Sequence, residues 1–157
     1  MSINYDIIEY SIQMKKIKKI FSGQSHIDNS YDAVKVISKF YDLDDREKLY
    51  VILLDSRKRV IGINLVSVGT IDYVIIHPRE VFKPAILLGA SAIIIVHNHP
   101  SQDPRPSEDD IDVTEQIIKA GNILQIPLID HIIYCEGEYY SIYGDEEKVH
   151  EYGKTDL

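Results

Sequence analysis

The sequence contains a single cysteine, Cys135, and no tryptophan. One cysteine excludes an internal disulfide and a cysteine-rich zinc site, and it is typical of proteins from a reducing, cytoplasmic compartment. No apolar run approaches the ~20 residues needed to cross a bilayer. The N-terminal segment also lacks the charge order and small-residue cleavage site of a signal peptide. The sequence therefore predicts a cytoplasmic protein without a membrane partner, in which any metal is held by histidines and carboxylates.

Basic residues are outnumbered, with 17 Lys and Arg against 25 Asp and Glu, for a net charge of −8. Binding to nucleic acid draws on clustered Lys and Arg that neutralise phosphates. The one basic cluster, formed by Lys15, Lys16, Lys18 and Lys19, is interpreted as a solvated face or as the guard of an edge strand. Direct nucleic-acid binding is therefore possible but is not favoured by the charge.

The hydrophobic pattern over these 157 residues predicts one mixed α/β (α+β) domain, a largely antiparallel sheet flanked by helices. Strands are predicted over 48–56, 59–69, 71–76, 91–99, 126–135 and 139–143. Helices are predicted over 31–41, 77–90 and 107–124. Ser30 and Ser107 are the expected N-caps of the first and third helices, and Pro84 predicts a kink or an early end in the second. Residues 30–145 form the expected domain, with an N-terminal arm over 1–29 packing on it and a charged, frayed tail over 146–157.

Two histidines end the most apolar strand, in the string SAIIIVHNHP. Residues i and i+2 of a strand point to the same face, so His97 and His99 project side by side with Cα atoms ~7 Å apart. Asn98, between them, should face away. Two imidazoles at that separation can bind one metal ion, and Pro100 favours an end to strand pairing at this point.

A helix begins shortly after the histidines, in the string PSEDDIDV. If Ser107 is its N-cap, Asp110 lies at the third helical position, where free N–H groups and the helix dipole keep a carboxylate ionised. Two histidines and one aspartate leave a fourth tetrahedral position for water, as a catalytic zinc site requires. The simpler interpretation is a chance histidine pair followed by an ordinary capping box.

The pattern H-x-H, seven residues, then S-x-x-D resembles the metal motif of the JAMM (MPN-plus) metalloproteases. The wider string HNHPSQDPRPSEDD, with HPREVFKPA before it and PLIDHIIY after it, is similar to the RadC family of bacterial JAMM-domain proteins over about residues 31–143. The family's helix-hairpin-helix region has no counterpart, since only about thirty residues precede the domain, so a short form is expected. The resemblance implies a cytidine-deaminase-like JAMM/MPN fold.

The resemblance also implies roles for individual residues. His97, His99 and Asp110 would hold one Zn²⁺ with a bound water, and Ser107 would stabilise the oxyanion. The family's general base is a glutamate before an early core strand, a place that Glu47 takes. Glu80 is the rival, but a carboxylate at a helix start is an ordinary dipole partner.

The implied function is zinc-dependent hydrolysis of a peptide or isopeptide bond, with a peptide or protein as substrate. Two alternatives stay open: a DNA-repair-associated protein, as nuclease or accessory factor, and a non-catalytic interaction module. The pair Asp130–His131 could orient a ligand histidine from a second layer, or it could be a purely structural pair. The sequence indicates no oligomeric state.

Overall fold

The computed structural model describes residues 15–16, 26–40, 46–69, 76–144 and 148–152. The helices in these residues are α1 (Ser30–Ile37), α2 (Pro78–Leu88) and α3 (Glu108–Leu124). The strands are β1 (Lys48–Leu54), β2 (Val60–Val68), β3 (Ala92–Asn98), β4 (Leu128–Tyr134), β5 (Glu138–Ser141) and β6 (Val149–Glu151). Every helix in the described part of the chain is too short or too polar to span a bilayer.

The six strands form one sheet in the order β2-β1-β3-β4-β5-β6. All neighbouring strands are antiparallel except β3 and β4, which are parallel and are connected by α3. The predicted mixed, largely antiparallel sheet is confirmed, and β1 and β2 form a hairpin. Because α3 starts where β3 ends, its N-terminus lies at the carboxyl end of the central parallel pair, a common place for ligand sites in such sheets.

Helices cover both faces of the sheet. On one face α1 packs its buried Ala33, Val34 and Ile37 against the strands, and on the other α2 and α3 pack through residues such as Phe82 and Ile117. The central strand β3 is buried on both sides, which explains its nearly continuous apolar sequence. Ile93 and Ile95 face α2 and α3, and strand alternation places His97 next in that row.

Helix α1 differs from its prediction at both ends. Its N-cap is Asn29, whose side chain accepts a hydrogen bond from the backbone N–H of Asp32. Ser30 is buried instead, and its hydroxyl donates to Asp130 at 2.7 Å. Asn and Ser are both good N-cap residues. Because the hydroxyl of Ser30 is bonded to Asp130, Asn29 takes the cap position. The helix ends at Ile37, short of the predicted end at residue 41.

The other two helices match their predictions more closely. Helix α2 continues through Pro84 to Leu88, so the expected early end is wrong. Helix α3 has the predicted cap at Ser107, and its buried face carries Asp110, Thr114, Ile117 and Gly121. Ile111 is off that face and is 40% exposed.

The end of the chain was predicted to fray, yet residues 149–151 form β6, the edge strand beside β5. Tyr152 follows it, and its buried hydroxyl donates to the carbonyl of Cys135 at 2.8 Å. Residues 71–75 of the expected strand over 71–76, and most of the N-terminal arm, lie outside the described residues. Within the basic cluster, Lys15 and Lys16 are exposed, and the other two lysines are not described. The proposed domain boundaries stay predictions.

Candidate metal centre

Three predicted ligands meet at the carboxyl end of β3. His97 is the penultimate residue of the strand, His99 is the first residue after Asn98, and Asp110 lies in the first turn of α3. One nitrogen from each imidazole and one carboxylate oxygen lie within 4.8 Å of one another, a group that could hold a metal ion. His97 and Asp110 are buried, and His99 is partly exposed.

The distances between these atoms fit a small divalent cation. Nε2 of His97 lies 3.0 Å from Nε2 of His99 and 3.1 Å from Oδ1 of Asp110. Nε2 of His99 lies 3.4 Å from Oδ2 of Asp110. Tetrahedral ligands about 2.0–2.1 Å from zinc lie about 3.3 Å apart. The donor set of two imidazoles and one carboxylate is also a known set for catalytic zinc.

A capping box fixes the carboxylate of Asp110. Oδ2 accepts hydrogen bonds from the backbone N–H of Ser107, at 2.8 Å, and from the Ser107 hydroxyl, while that hydroxyl oxygen accepts from the N–H of Asp110. Burial alone would raise the pKa of Asp110. The neighbouring imidazoles of His97 and His99, together with the hydrogen bond from Ser107, outweigh burial and hold that pKa well below its usual range. The aspartate is therefore ionised and rigid.

His99 is oriented by the loop that follows it. Its Nδ1 lies 2.7 Å from the backbone carbonyl of Asp103. A carbonyl only accepts hydrogen bonds, so the proton is on Nδ1 and Nε2 is directed towards Asp110. Burial lowers the pKa of His99, but Asp110, the Asp103 carbonyl and Glu47 more than offset this, so the net shift is upward.

Glu47 immediately precedes β1 and lies beside the cluster. Its Oε1 is 4.0 Å from Nε2 of His97, beyond hydrogen-bond distance, and its side chain is only 13% exposed. Burial raises the pKa of Glu47, although the neighbouring His97 and His99 oppose the shift. The rival, Glu80, lies on α2, where its half-exposed carboxylate pairs with Lys83 and Arg79. The structure thus brings Glu47 to the cluster and not Glu80.

Asn98 holds the backbone on both sides of Glu47. Its Oδ1 accepts from the N–H of Lys48 at 2.7 Å, and its Nδ2 donates to the carbonyl of Arg46 at 3.0 Å. The residue is fully buried. Sequence reasoning placed Asn98 away from the metal but missed this contact. The available signal was an amide inside an apolar strand, because a buried amide needs partners.

Asp130 and His131 turn to opposite faces of β4, so they do not act as a pair. Asp130 accepts from the hydroxyls of Ser30 and Ser141, whereas Nε2 of His131 lies 2.8 Å from Nδ1 of His97. His131 is fully buried. Burial, and to a lesser extent the neighbouring His97, lower its pKa well below the usual value, so the ring is neutral. On its other side, Nδ1 of His131 contacts the hydroxyl of Thr114.

The sequence of this chain is similar to that of a known protein family and to those of individual bacterial proteins. The sequence model of a family described as RadC-like JAB domain matches residues 27–149. A UPF0758 protein of Thermotoga maritima is 44% identical over 121 residues, which are 77% of this chain and 54% of that protein. A UPF0758 protein of Caldanaerobacter subterraneus is 41% identical over 111 residues, 71% of this chain and 48% of that protein. The chain spans about half the length of the curated relatives it matches. Their names state no activity.

Proposed function

This chain belongs to the RadC-like JAB domain family, and from that membership and the geometry of its metal-ligand cluster we propose that it is a zinc-dependent hydrolase that cleaves peptide or isopeptide bonds. The observation that carries the proposal is the convergence of two imidazoles and one buried carboxylate beside a second carboxylate that is not bonded to them. A metal-binding triad next to a free base is the arrangement that hydrolysis by water requires.

His97 and His99, each through Nε2, and Asp110 through its carboxylate would hold the ion. A cation held there would supply polarisation of a substrate carbonyl and would lower the pKa of water to ~7. Each of the three groups is already fixed by a second contact. His97 is fixed by His131, His99 by the carbonyl of Asp103, and Asp110 by its capping box. The chain therefore presents its ligands in one arrangement, and little ordering is needed when the ion binds.

Glu47 is the proposed general base. Its position beside the cluster but outside hydrogen-bond distance leaves it able to take a proton from water and pass it to the leaving amine. The upward shift of its pKa, caused by burial, brings the carboxylate closer to the range in which it both accepts and returns a proton.

Ser107 is the proposed oxyanion partner. Its hydroxyl donates to Asp110 in this structure, so it must rotate before it can donate to a substrate oxygen. The residue is exposed at the start of α3. A substrate oxygen at that point would also meet the free N–H groups and the partial positive charge of the helix terminus.

We propose a peptide or protein as the substrate. Amide hydrolysis needs a cation that polarises the carbonyl and a carboxylate that can protonate the leaving amine, and this site would provide both. A phosphodiester matches less well, because the net charge of −8 repels nucleic acid. No contact among the described residues favours the DNA-associated alternative.

The test uses Glu47→Gln, with Glu80→Gln as a matched control on the rival glutamate. Zinc content is measured by elemental analysis, and hydrolysis is measured on a library of fluorogenic peptides and isopeptides. Glu47→Gln should keep its zinc and lose hydrolysis by ~10²–10⁴-fold, the usual contribution of general acid–base catalysis. Glu80→Gln should keep both, and His97→Ala should lose both. Wild-type rates in Glu47→Gln, or zinc-free wild-type protein, would overturn the proposal.

A further inference from the structure

A continuous line of hydrogen bonds connects the backbone of α3 with the metal-facing imidazole of His97. The hydroxyl of Thr114 lies 2.6 Å from the carbonyl of Asp110 and 2.6 Å from Nδ1 of His131. Nε2 of His131 lies 2.8 Å from Nδ1 of His97. Thr114, His131 and His97 are all buried, so water does not compete for these bonds.

Only one distribution of protons satisfies every bond in this line. The Asp110 carbonyl cannot donate, so the single hydroxyl proton of Thr114 points to it. The hydroxyl oxygen of Thr114 must then accept from Nδ1 of His131. The single ring proton of the His131 imidazole is thus on Nδ1, so its Nε2 accepts from Nδ1 of His97. The ring proton of His97 is therefore on Nδ1, and its unprotonated Nε2 is directed at the cluster.

The reverse distribution fails at its first bond. If Thr114 donated to His131, its oxygen would lie 2.6 Å from the Asp110 carbonyl with no proton between the two acceptors. The reverse order would also make Nε2 of His131 a donor. Nδ1 of His97 would then be the acceptor, and the proton would move to Nε2, where the metal must bind.

We propose that Thr114 and His131 are positioning residues that fix the tautomer and ring orientation of His97, so that its Nε2 is available to the metal. The inference rests on the proposed function only in taking His97 as a metal ligand. Ligand histidines usually donate their second N–H to a carboxylate, a carbonyl or water. In this chain the imidazole of His131 takes that place. His131 is itself aligned by Thr114, whose hydroxyl is hydrogen-bonded to the backbone carbonyl of Asp110, another proposed ligand.

The matched variants are Thr114→Val, which keeps the shape but removes the hydroxyl, and Thr114→Ser, which restores it. In Thr114→Val, Nδ1 of His131 has no acceptor. The ring then favours the tautomer with its proton on Nε2, which drives the proton of His97 to its own Nε2. Zinc must displace that proton. We therefore expect Thr114→Val to bind zinc ~10–100-fold more weakly, as is typical when an outer partner of a ligand is lost, and Thr114→Ser to bind it nearly as tightly as wild type.

Two measurements test the inference. Long-range ¹⁵N–¹H NMR of histidine-labelled protein reports which ring nitrogens carry protons, with and without zinc. Wild type should show His131 protonated on Nδ1 and not on Nε2, and His97 protonated on Nδ1. Zinc affinity is then measured by competition with a chromophoric chelator, and urea denaturation checks that the variants are folded.

Wild-type His131 protonated on Nε2 would overturn the inference, and so would equal zinc affinities of Thr114→Val and Thr114→Ser. If Thr114→Val does not fold, the wild-type tautomers still decide, together with the affinity of Thr114→Ser. None of these readouts involves hydrolysis. A protein with the expected tautomers and no hydrolysis of any peptide would contradict the proposed function while leaving this inference intact.

Discussion

Asp130 is a buried carboxylate, and its hydrogen-bond donors among the described residues are all neutral. It accepts hydrogen bonds from the hydroxyls of Ser30 and Ser141 and from the N–H of Gly144, at 2.7–2.9 Å. Gly144 approaches so closely that a Cβ there would lie 2.6 Å from the carboxyl carbon of Asp130. Burial raises the pKa of Asp130, and the hydrogen bonds offset this only in part. The residue joins α1, β4 and β5 on the face away from the metal centre, so its role is in stability.

The pKa shift of Asp130 predicts a dependence of stability on pH. Between the usual value of 3.8 and the raised folded-state value, the folded chain binds more protons than the unfolded chain. The free energy of unfolding therefore falls as pH rises through that window. Asp130→Asn removes this contribution and retains acceptor and donor atoms for the surrounding groups. The stability of the variant relative to wild type should therefore rise with pH across the window and then level off.

Urea denaturation of both proteins from about pH 4 to about pH 7 measures this difference, and the titrations of other carboxylates cancel in the comparison. A difference that is constant with pH, or that falls as pH rises, would contradict the assignment of a raised pKa to Asp130.

The juxtaposition of His97, His99 and Asp110 could be predicted from the sequence because it follows from local rules. Strand alternation puts the two histidines on one side, and the capping box places Asp110. The position of Glu47 came only through a family resemblance, since it depends on the pairing of β1 with β3. Thr114 lies on the buried face of α3, but the contact of His131 with His97 depends on the register of β3 against β4. No local pattern encodes that register.

Strands β1 and β3 are joined at the metal centre by Asn98 as well as by their ladder. Leu49 pairs with His97 in the ladder, and beyond that pair the Asn98 amide bonds to both peptide groups that flank Glu47. The end of β3 therefore provides a ligand on one face and fixes the start of β1 through its next residue. Elements that meet in this way keep Glu47, the proposed base, at a fixed separation from the proposed ligands.

Asn98→Asp tests this link between the two strands. The new carboxylate still accepts from Lys48, but it cannot donate to the Arg46 carbonyl and instead repels it. The segment that carries Glu47 should shift, while the ligands remain. We expect kcat to fall ~10–100-fold, as small misplacements of a catalytic group do, with zinc content unchanged.

Elemental analysis and steady-state kinetics on the best substrate from the peptide library measure both quantities. Asn122→Asp, at an exposed position on α3, is the matched control and should leave kcat unchanged. If Asn98→Asp lost zinc together with activity, Asn98 would be acting on the ligands and not on Glu47.

At the scale of the whole molecule, the three proposed metal ligands lie in three different parts of the chain: a strand, a loop and a helix. His97 lies near the end of β3, His99 starts the loop, and Asp110 lies in the first turn of α3, which crosses back over the sheet to β4. A cation bound to all three residues would tie this loop to the sheet and to the helix. Because the unfolded chain cannot present the three groups together, binding favours the folded state.

We therefore expect zinc to raise the thermal stability of the protein. At a free zinc concentration 100 times the Kd, the gain in the free energy of unfolding is about 2.7 kcal/mol. For a domain of this size that gain corresponds to a rise in Tm of about 5–10 °C. Scanning calorimetry of the metal-free protein, with zinc and then with excess chelator, measures the rise and its reversal. Mg²⁺ at the same concentration should give little effect, because it prefers oxygen ligands to imidazole.

His99→Ala and His26→Ala provide matched variants for this measurement. His99→Ala should abolish the zinc-dependent rise, since one of three ligands is gone. His26→Ala removes an exposed imidazole that pairs with Asp28 outside the cluster, so its rise should equal that of wild type. An equal rise in wild type and both variants would mean that zinc binds elsewhere on the chain and that the cluster is not the zinc site.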